Sequence, residues 1–296
     1  MVTHEKSRRM TARAVWLHLR VPFSFFLLPV FWFALSQSPQ SDTGRALAVV
    51  LIIHLLLYPA SNAYNSYYDK DEGSIGILET PPPVDRTLFY VAWGLDIVAL
   101  VLGAFIGWPF VLYLLIYGTI SKAYSNDRIR LKKYPILSWL VVGTFQGGLT
   151  YLMTYQAINN LPLRALADPR PLLAALLCTL NLLAIYPITQ VYQHDEDSRR
   201  GDLTMSRLLG IRGTFVCAIV MFGLSVTGYY FYFEGGSPFY MLLGYLLPAA
   251  GFFLFWFWQV YHDAGKASFR SAMRMTLLAG LGLNAFFLTL LWLNHS

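Results

Sequence analysis

Residues 58–76 read YPASNAYNSYYDKDEGSIG, and residues 186–204 read YPITQVYQHDEDSRRGDLT. Laid over each other, the two stretches pair Tyr58 with Tyr186, Pro59 with Pro187, Ser61 with Thr189 and Asn62 with Gln190. They continue with Tyr64 and Tyr192, Asn65 and Gln193, Asp69 and Asp197, and Gly73 and Gly201. One architectural unit is used twice, a common way of building membrane proteins, with the functional site where the repeats face each other. In each copy a hydrophobic run gives way to amides and carboxylates. Asn62, Asn65 and Asp69 fall at i, i+3 and i+7, so one helical face carries all three.

Outward from these motifs the chain is apolar. Of its 296 residues 56% are hydrophobic and 13% charged, against about 25% charged in a soluble domain. Runs of about 20 apolar residues span a bilayer, and nine such runs occur, at roughly 15–36, 45–68, 87–106, 108–125, 136–158, 171–194, 212–233, 238–261 and 272–293. They predict an all-α fold, one polytopic domain over 1–296 with nine transmembrane helices in a single bundle. The first run is too long and aromatic for a cleaved signal peptide. All Lys and Arg except Arg45, Arg164 and Arg170 lie in the N-terminal segment (Lys6, Arg8, Arg9, Arg13, Arg20) or in the loops after the second, fourth, sixth and eighth runs. The positive-inside rule then makes the N-terminus and the motif loops, about 66–86, 122–135 and 193–212, cytoplasmic, with the C-terminus opposite. Membrane topology accounts for the net charge of +6 and leaves no role for nucleic acid. Cys178 and Cys217 sit in apolar runs as packing residues.

Asp69, Asp197, Asn65 and Gln193 offer hard oxygen donors, and no Cys or His cluster accompanies them, which argues against zinc, copper or iron. Magnesium takes one or two carboxylates and completes its shell with water and substrate phosphate. In the basic segment AYSNDRIRLKKYP, residues 123–135, Arg128 and Lys132 supply counter-charge for a diphosphate. A diphosphate at the mouth of an apolar helical cavity points to an isoprenyl diphosphate. Its allylic cation would be sheltered by aromatic faces, with Tyr64, Tyr68 and Tyr192 as candidates. Gln146 precedes Gly147-Gly148, where small residues let helices approach; it is a further cavity candidate. The stretch Gly73–Val84, with Pro81-Pro82-Pro83, reads as a surface loop, either a lid or a plain connector. Asp96 is a lone carboxylate within a span, and ionisable groups there are usually functional. His54 reads as a packing histidine.

The segments NSYYDKDEG, YSNDRIRLKK and DSRRGDLTMSRLLG resemble the signatures of the UbiA superfamily of intramembrane prenyltransferases. The resemblance implies that Asn65 and Asp69 belong to the first acidic motif and Asp197 to the last acid of the second. It assigns Tyr124 and Arg128 to the element after the fourth helix, and Gly201 and Thr204 to the residues following the second motif. Ser66 and Gln193 stand where the family usually has Asp. Asp71, Asp195 and Glu196 are the acids nearest to compensate, with Asn62 and Gln190 in support. Restoring Asp at 66 and 193 is expected to tighten magnesium binding. The implied activity is Mg2+-dependent transfer of a prenyl group to an acceptor, an aromatic quinone precursor or a lipid. A terpene cyclase of the same fold, a secondary transporter using Asp96 and a catalytically silent lipid-binding protein remain as alternatives.

Overall fold

The computed structural model describes residues 10–38 and 41–295; Lys6, Arg8 and Arg9 of the basic N-terminal segment lie outside them. The helices run in order as α1 Ala12–Leu19, a 3-10 turn Val21–Phe26, and α2 Leu28–Ser36. They continue as α3 Thr43–Asp69, α4 Arg86–Ile106, α5 Trp108–Ser125, α6 Pro135–Asn159 and α7 Pro169–Ile188. A short α8 His194–Arg199 precedes α9 Met205–Tyr232, α10 Ser237–His262 and α11 Phe269–His295.

Helices stand in all nine predicted places. Among the described residues seven are long and apolar enough to cross a membrane, and α1 with α2, bent by 42°, makes an eighth. Helix α5 has 18 residues and ends in Ser-Lys-Ala-Tyr-Ser, a polar last turn that keeps it out of that group. The first predicted span, 15–36, is thus a broken rod: Arg20 adopts φ 49 and ends α1. The sixth, predicted to reach 194, stops at Ile188 just after Pro187. Large apolar side chains face outward, Phe105 at 83% and Leu247 at 70% exposure among them. That inversion is what a lipid solvent requires. The chain is an integral, multi-pass membrane protein.

Prolines and glycines shape the bundle from inside. Pro59 cannot donate a backbone hydrogen bond; the turns before it, Ile52–Leu57, are widened to the i→i+5 pattern, and the Ser61 hydroxyl donates to Leu57 O. Helix α6 widens in the same way over Gly143–Leu149. There a Cβ on Gly147 would stand 2.6 Å from Cys178 O, so only glycine lets α6 and α7 touch backbone to backbone. Helix α7 also packs along α9, α10 packs on α11, α3 on α4, and α11 on α2. Asp85 and Asp168 cap α4 and α7 by accepting from Thr87 N and Arg170 N. The membrane carboxylate Asp96 finds its partner in the neighbouring helix, ion-paired with Lys122, whose ammonium also lies 4.7 Å from the Trp93 ring centroid. His54 packs edge-on against Tyr58 and Phe31.

Candidate active site

A cavity of about 320 Å3 opens among α3, α5, α6, α7, α9 and α11. On α3 the predicted face holds: Asn62, Asn65 and Asp69 all line it. Asn65 Nδ2 donates to Asp69 Oδ2 at 2.6 Å and to Ser125 Oγ at 2.9 Å, while its Oδ1 accepts from Arg20 Nη2 at 3.2 Å. With both ends of its amide engaged, Asn65 orients Asp69. Lys132 Nζ lies 2.5 Å from Asp69 Oδ1 and 3.1 Å from Asp202 Oδ2, tying the first motif to the end of the second. Arg130 adds a two-pronged contact to Asp202, at 2.8 and 3.0 Å. Asp197 Oδ2 accepts from the Thr204 hydroxyl at 3.1 Å, and Arg200 pairs with Asp71.

Four carboxylates therefore line one mouth: Asp69, Asp71, Asp197 and Asp202. Among the described residues, Asp197 is the one of the four that makes no ion pair. Burial pushes the Asp197 carboxyl up to about 6. Asp71 is raised to about 6 by burial and by Asp69, against the pull of Arg200. Burial pushes Asp202 upward as well, yet the hydrogen bonds from Arg130 and the charge of Lys132 outweigh it and hold this carboxyl below its ordinary value.

The loop after α3 covers the mouth rather than merely connecting helices. Ile75 and Gly76 line the cavity. Gly76 has φ +52, and a Cβ there would meet Arg20 and Phe23 at 3.4 Å, so the position suits glycine. Glu196 accepts from the backbone N–H of Glu72 at 3.0 Å and Gly73 at 3.3 Å. Gln193 Nε2 donates to Ser74 O at 2.9 Å. The second motif thus straps down the loop that follows the first.

Tyr124, Lys132, Gln146, Gln190, Tyr192 and Gln193 also line the cavity, as does Asp71. The hydroxyls of Tyr124 and Tyr186 hydrogen-bond to each other. Other candidates are placed elsewhere. Arg128 is exposed on the loop after α5 and outside the lining; the turn carries Arg130, at φ 47, inward to Asp202 instead. Tyr64 and Tyr68 pack ring against ring on a face of α3 outside the lining and accept from Asn126 Nδ2. Asp195 is exposed, and Glu196 serves the loop and Arg200. Ser66 is 1% exposed, its Oγ without a partner, and it does not touch the cavity. Asp96, needed by a transporter, lies outside the lining and is neutralised by Lys122. Three charged lining residues were missed: Arg20, Asp202 and Arg200. Asp202 carried a signal, lying between Gly201 and Thr204 of the second motif; Arg20 carried none.

A family model, the UbiA prenyltransferase family, matches residues 26–280. The chain belongs to the UbiA prenyltransferase family. This UbiA-family chain is similar to a UbiA homolog from Archaeoglobus fulgidus bound to GPP and Mg2+, at 15% identity over 94% of this chain and 99% of that one, with a TM-score of 0.68. An apo UbiA homolog from Aeropyrum pernix K1 gives a TM-score of 0.69 at 18% identity, covering 90% and 98% of the two chains. A digeranylgeranylglyceryl phosphate synthase gives 0.61 at 14% identity, covering 96% and 98%. No curated protein sequence matches the chain. At such low identity these structures show the fold alone, and the site is read from this chain's own residues.

The donor set of this UbiA-family mouth suits a hard cation. Among the described residues no three His, Cys, Asp or Glu side chains converge as a protein-only metal cage. Magnesium does not need one, because water and phosphate complete its shell. The four lining carboxylates outnumber the three lining cations, Arg20, Lys132 and Arg200, so the mouth offers a diphosphate no net positive charge. A divalent cation could supply what is missing, and Asp197, which makes no ion pair among the described residues, lies with Asp69 in the lining as carboxylates that could hold one.

Proposed function

We propose that this protein is an intramembrane prenyltransferase that ionises an isoprenyl diphosphate and passes the prenyl group to an acceptor. The observation carrying this reading is Lys132 joined to Asp69 and Asp202 beside Asp197, at the charged mouth of a cavity that continues between apolar helices. Family membership supports it, as do the neighbours bound to GPP or DMAPP with Mg2+.

Asp69 and Asp197 would hold Mg2+, with the Gln193 carbonyl oxygen as a further donor while its amide nitrogen keeps the loop. Magnesium, when bound, neutralises charge developing on the leaving diphosphate. Lys132, Arg20 and Arg200 bind the remaining phosphate oxygens, a preorganised set of donors in a site closed from water. The covering loop, through Ile75, excludes water that would quench the allylic cation. Below the mouth, Phe145 and Phe222 offer ring faces, worth about 0.5–2 kcal/mol per cation–π contact. The charge bias supports a cytoplasmic position for this mouth, and the acceptor would be an aromatic quinone precursor or a lipid entering from the bilayer.

The test is pyrophosphate release by the purified protein in lipid nanodiscs, with magnesium, a prenyl diphosphate and an acceptor. Asp69→Asn and Asp197→Asn should each slow release by at least about 100-fold while the thermal melt is retained. Full activity in either variant removes that residue from the site. Cyclic product formed without acceptor would instead make the protein a cyclase.

A further inference from the structure

The far end of the cavity is as defined as its mouth. Met273, Thr276, Gly280, Leu283 and Phe287 line it from a single helix, α11, at the 3- and 4-residue spacing of one helical face. At the motif end of α11 Arg270 lies 3.8 Å from Glu79 of the covering loop. The other end is fixed by Asn294, which donates to Ser36 O at 2.8 Å. From Met273 to Phe287 the helix rises about 21 Å at about 1.5 Å per residue. There the lumen meets a wall. The Phe287 ring stacks on Phe33 with centroids 4.6 Å apart, and Phe33 is itself packed against Tyr151, Tyr229 and Tyr232. Tyr229, the other floor residue, is held by Asn181 Nδ2 at 3.0 Å, whose Oδ1 accepts from Ser225 Oγ at 2.7 Å. Phe33, Phe287 and Tyr229 are 0%, 2% and 1% exposed, so the floor has filled space behind it and nowhere to swing. Every lining residue is buried or half-buried.

We infer that Phe287 and Tyr229 form a ruler that limits the donor to about four isoprene units, an inference that rests on the prenyl diphosphate reading of the mouth. Three bonds of extended chain cover roughly 3.5 Å, so an isoprene unit, with four, covers roughly 4.7 Å. A lumen of about 21 Å takes about four such units; a longer tail has no room past the stacked rings. Ala279 also lines the lumen, only about 9 Å along the helix from Met273, at the depth of about two units.

The test measures binding, in nanodiscs with magnesium, of non-hydrolysable prenyl diphosphate analogues carrying one to eight isoprene units. Affinity should rise at least about tenfold per unit while each new unit is buried, and should stop rising or fall beyond about four. Phe287→Ala should move the break to longer tails, and Ala279→Phe should move it to about two. Because the second variant fills rather than empties the core, the ruler stays testable if Phe287→Ala does not fold. Affinity climbing evenly to eight units, or a break that stays put in a folded variant of either kind, overturns the ruler. A break at about four units in a protein that releases no pyrophosphate from any donor upholds the ruler and discards the transferase reading. Failure of all analogues to bind overturns both.

Discussion

Lys132 bears on two carboxylates at once, and its own side chain is 9% exposed against 6% for Asp69 and 1% for Asp202. Buried charges of this kind stabilise only as a complete set, because removing one partner strands the others in low dielectric. Asp197 is left outside that set, which is why its behaviour should report on metal binding. Its carboxyl titrates at about 6. If Asp197 holds the metal as proposed, protons and magnesium compete for it, so affinity should be highest above that pH and fall below it. Between pH 7 and pH 5 the ionised fraction drops about tenfold for a group titrating near 6. The magnesium concentration giving half-maximal pyrophosphate release should rise by about that factor, more if Asp71, also near 6, takes part. Asp202, held low by Arg130 and Lys132, should not contribute. Ser66 leads to a second expectation at this scale. The sequence led to the expectation that Asp at 66 and 193 together would tighten magnesium binding, but the side chain at 66 is sealed away from the cavity, whereas Gln193 lines it. Ser66→Asp should therefore cost at least about 2 kcal/mol of stability as an unpaired buried carboxyl, leaving the magnesium titration no tighter; a thermal melt and that titration check it.

Among the elements, the covering loop is the one whose order depends on a few hydrogen bonds. Glu196 supplies two of them and also pairs with Arg200. Glu196→Ala should loosen residues 72–84, seen as roughly five- to tenfold faster proteolytic cutting there, in line with the loss of about 1 kcal/mol or more of hydrogen bonding. The apparent KM for the donor should rise with it. Element by element, what could be read in advance followed from local pattern. The apolar runs gave the helices, and the i, i+3, i+7 spacing of Asn62, Asn65 and Asp69 put them on the cavity side. The ends were harder. The two motifs match in sequence but not in local form: α3 stays helical to Asp69, whereas α7 stops at Ile188 and the acids resume on the short α8. In the run of basic residues after α5, a left-handed turn at Arg130 decides which side chain faces inward, and no periodicity announces such a turn. Arg20 joins Asn65 across 45 residues of sequence, and Asp96 joins Lys122 between two helices; both pairings exist only once the bundle has formed.

At the scale of the whole molecule, the end away from the motifs is fastened by one guanidinium. Arg45 donates to Ala157 O, to Ile106 O at 2.6 Å and to Asn160 Oδ1 at 3.1 Å, so it satisfies carbonyls at the ends of α4 and α6 from its place on α3. Arg45→Met should lower stability by at least about 2 kcal/mol, since hydrogen bonds from charged groups are worth about 1.5–3 kcal/mol each. Turnover below the melting temperature should persist, as Arg45 does not border the cavity; denaturant unfolding in detergent compares the two proteins. The opposite end carries the acids and bases whose charges nearly offset one another. A lumen so close to electroneutral is a weak trap for a lone metal ion and equally for a lone pyrophosphate. On the proposed reading the two ions would load as a couple and depart as a couple, so occupancy should follow the abundance of the salt they form together.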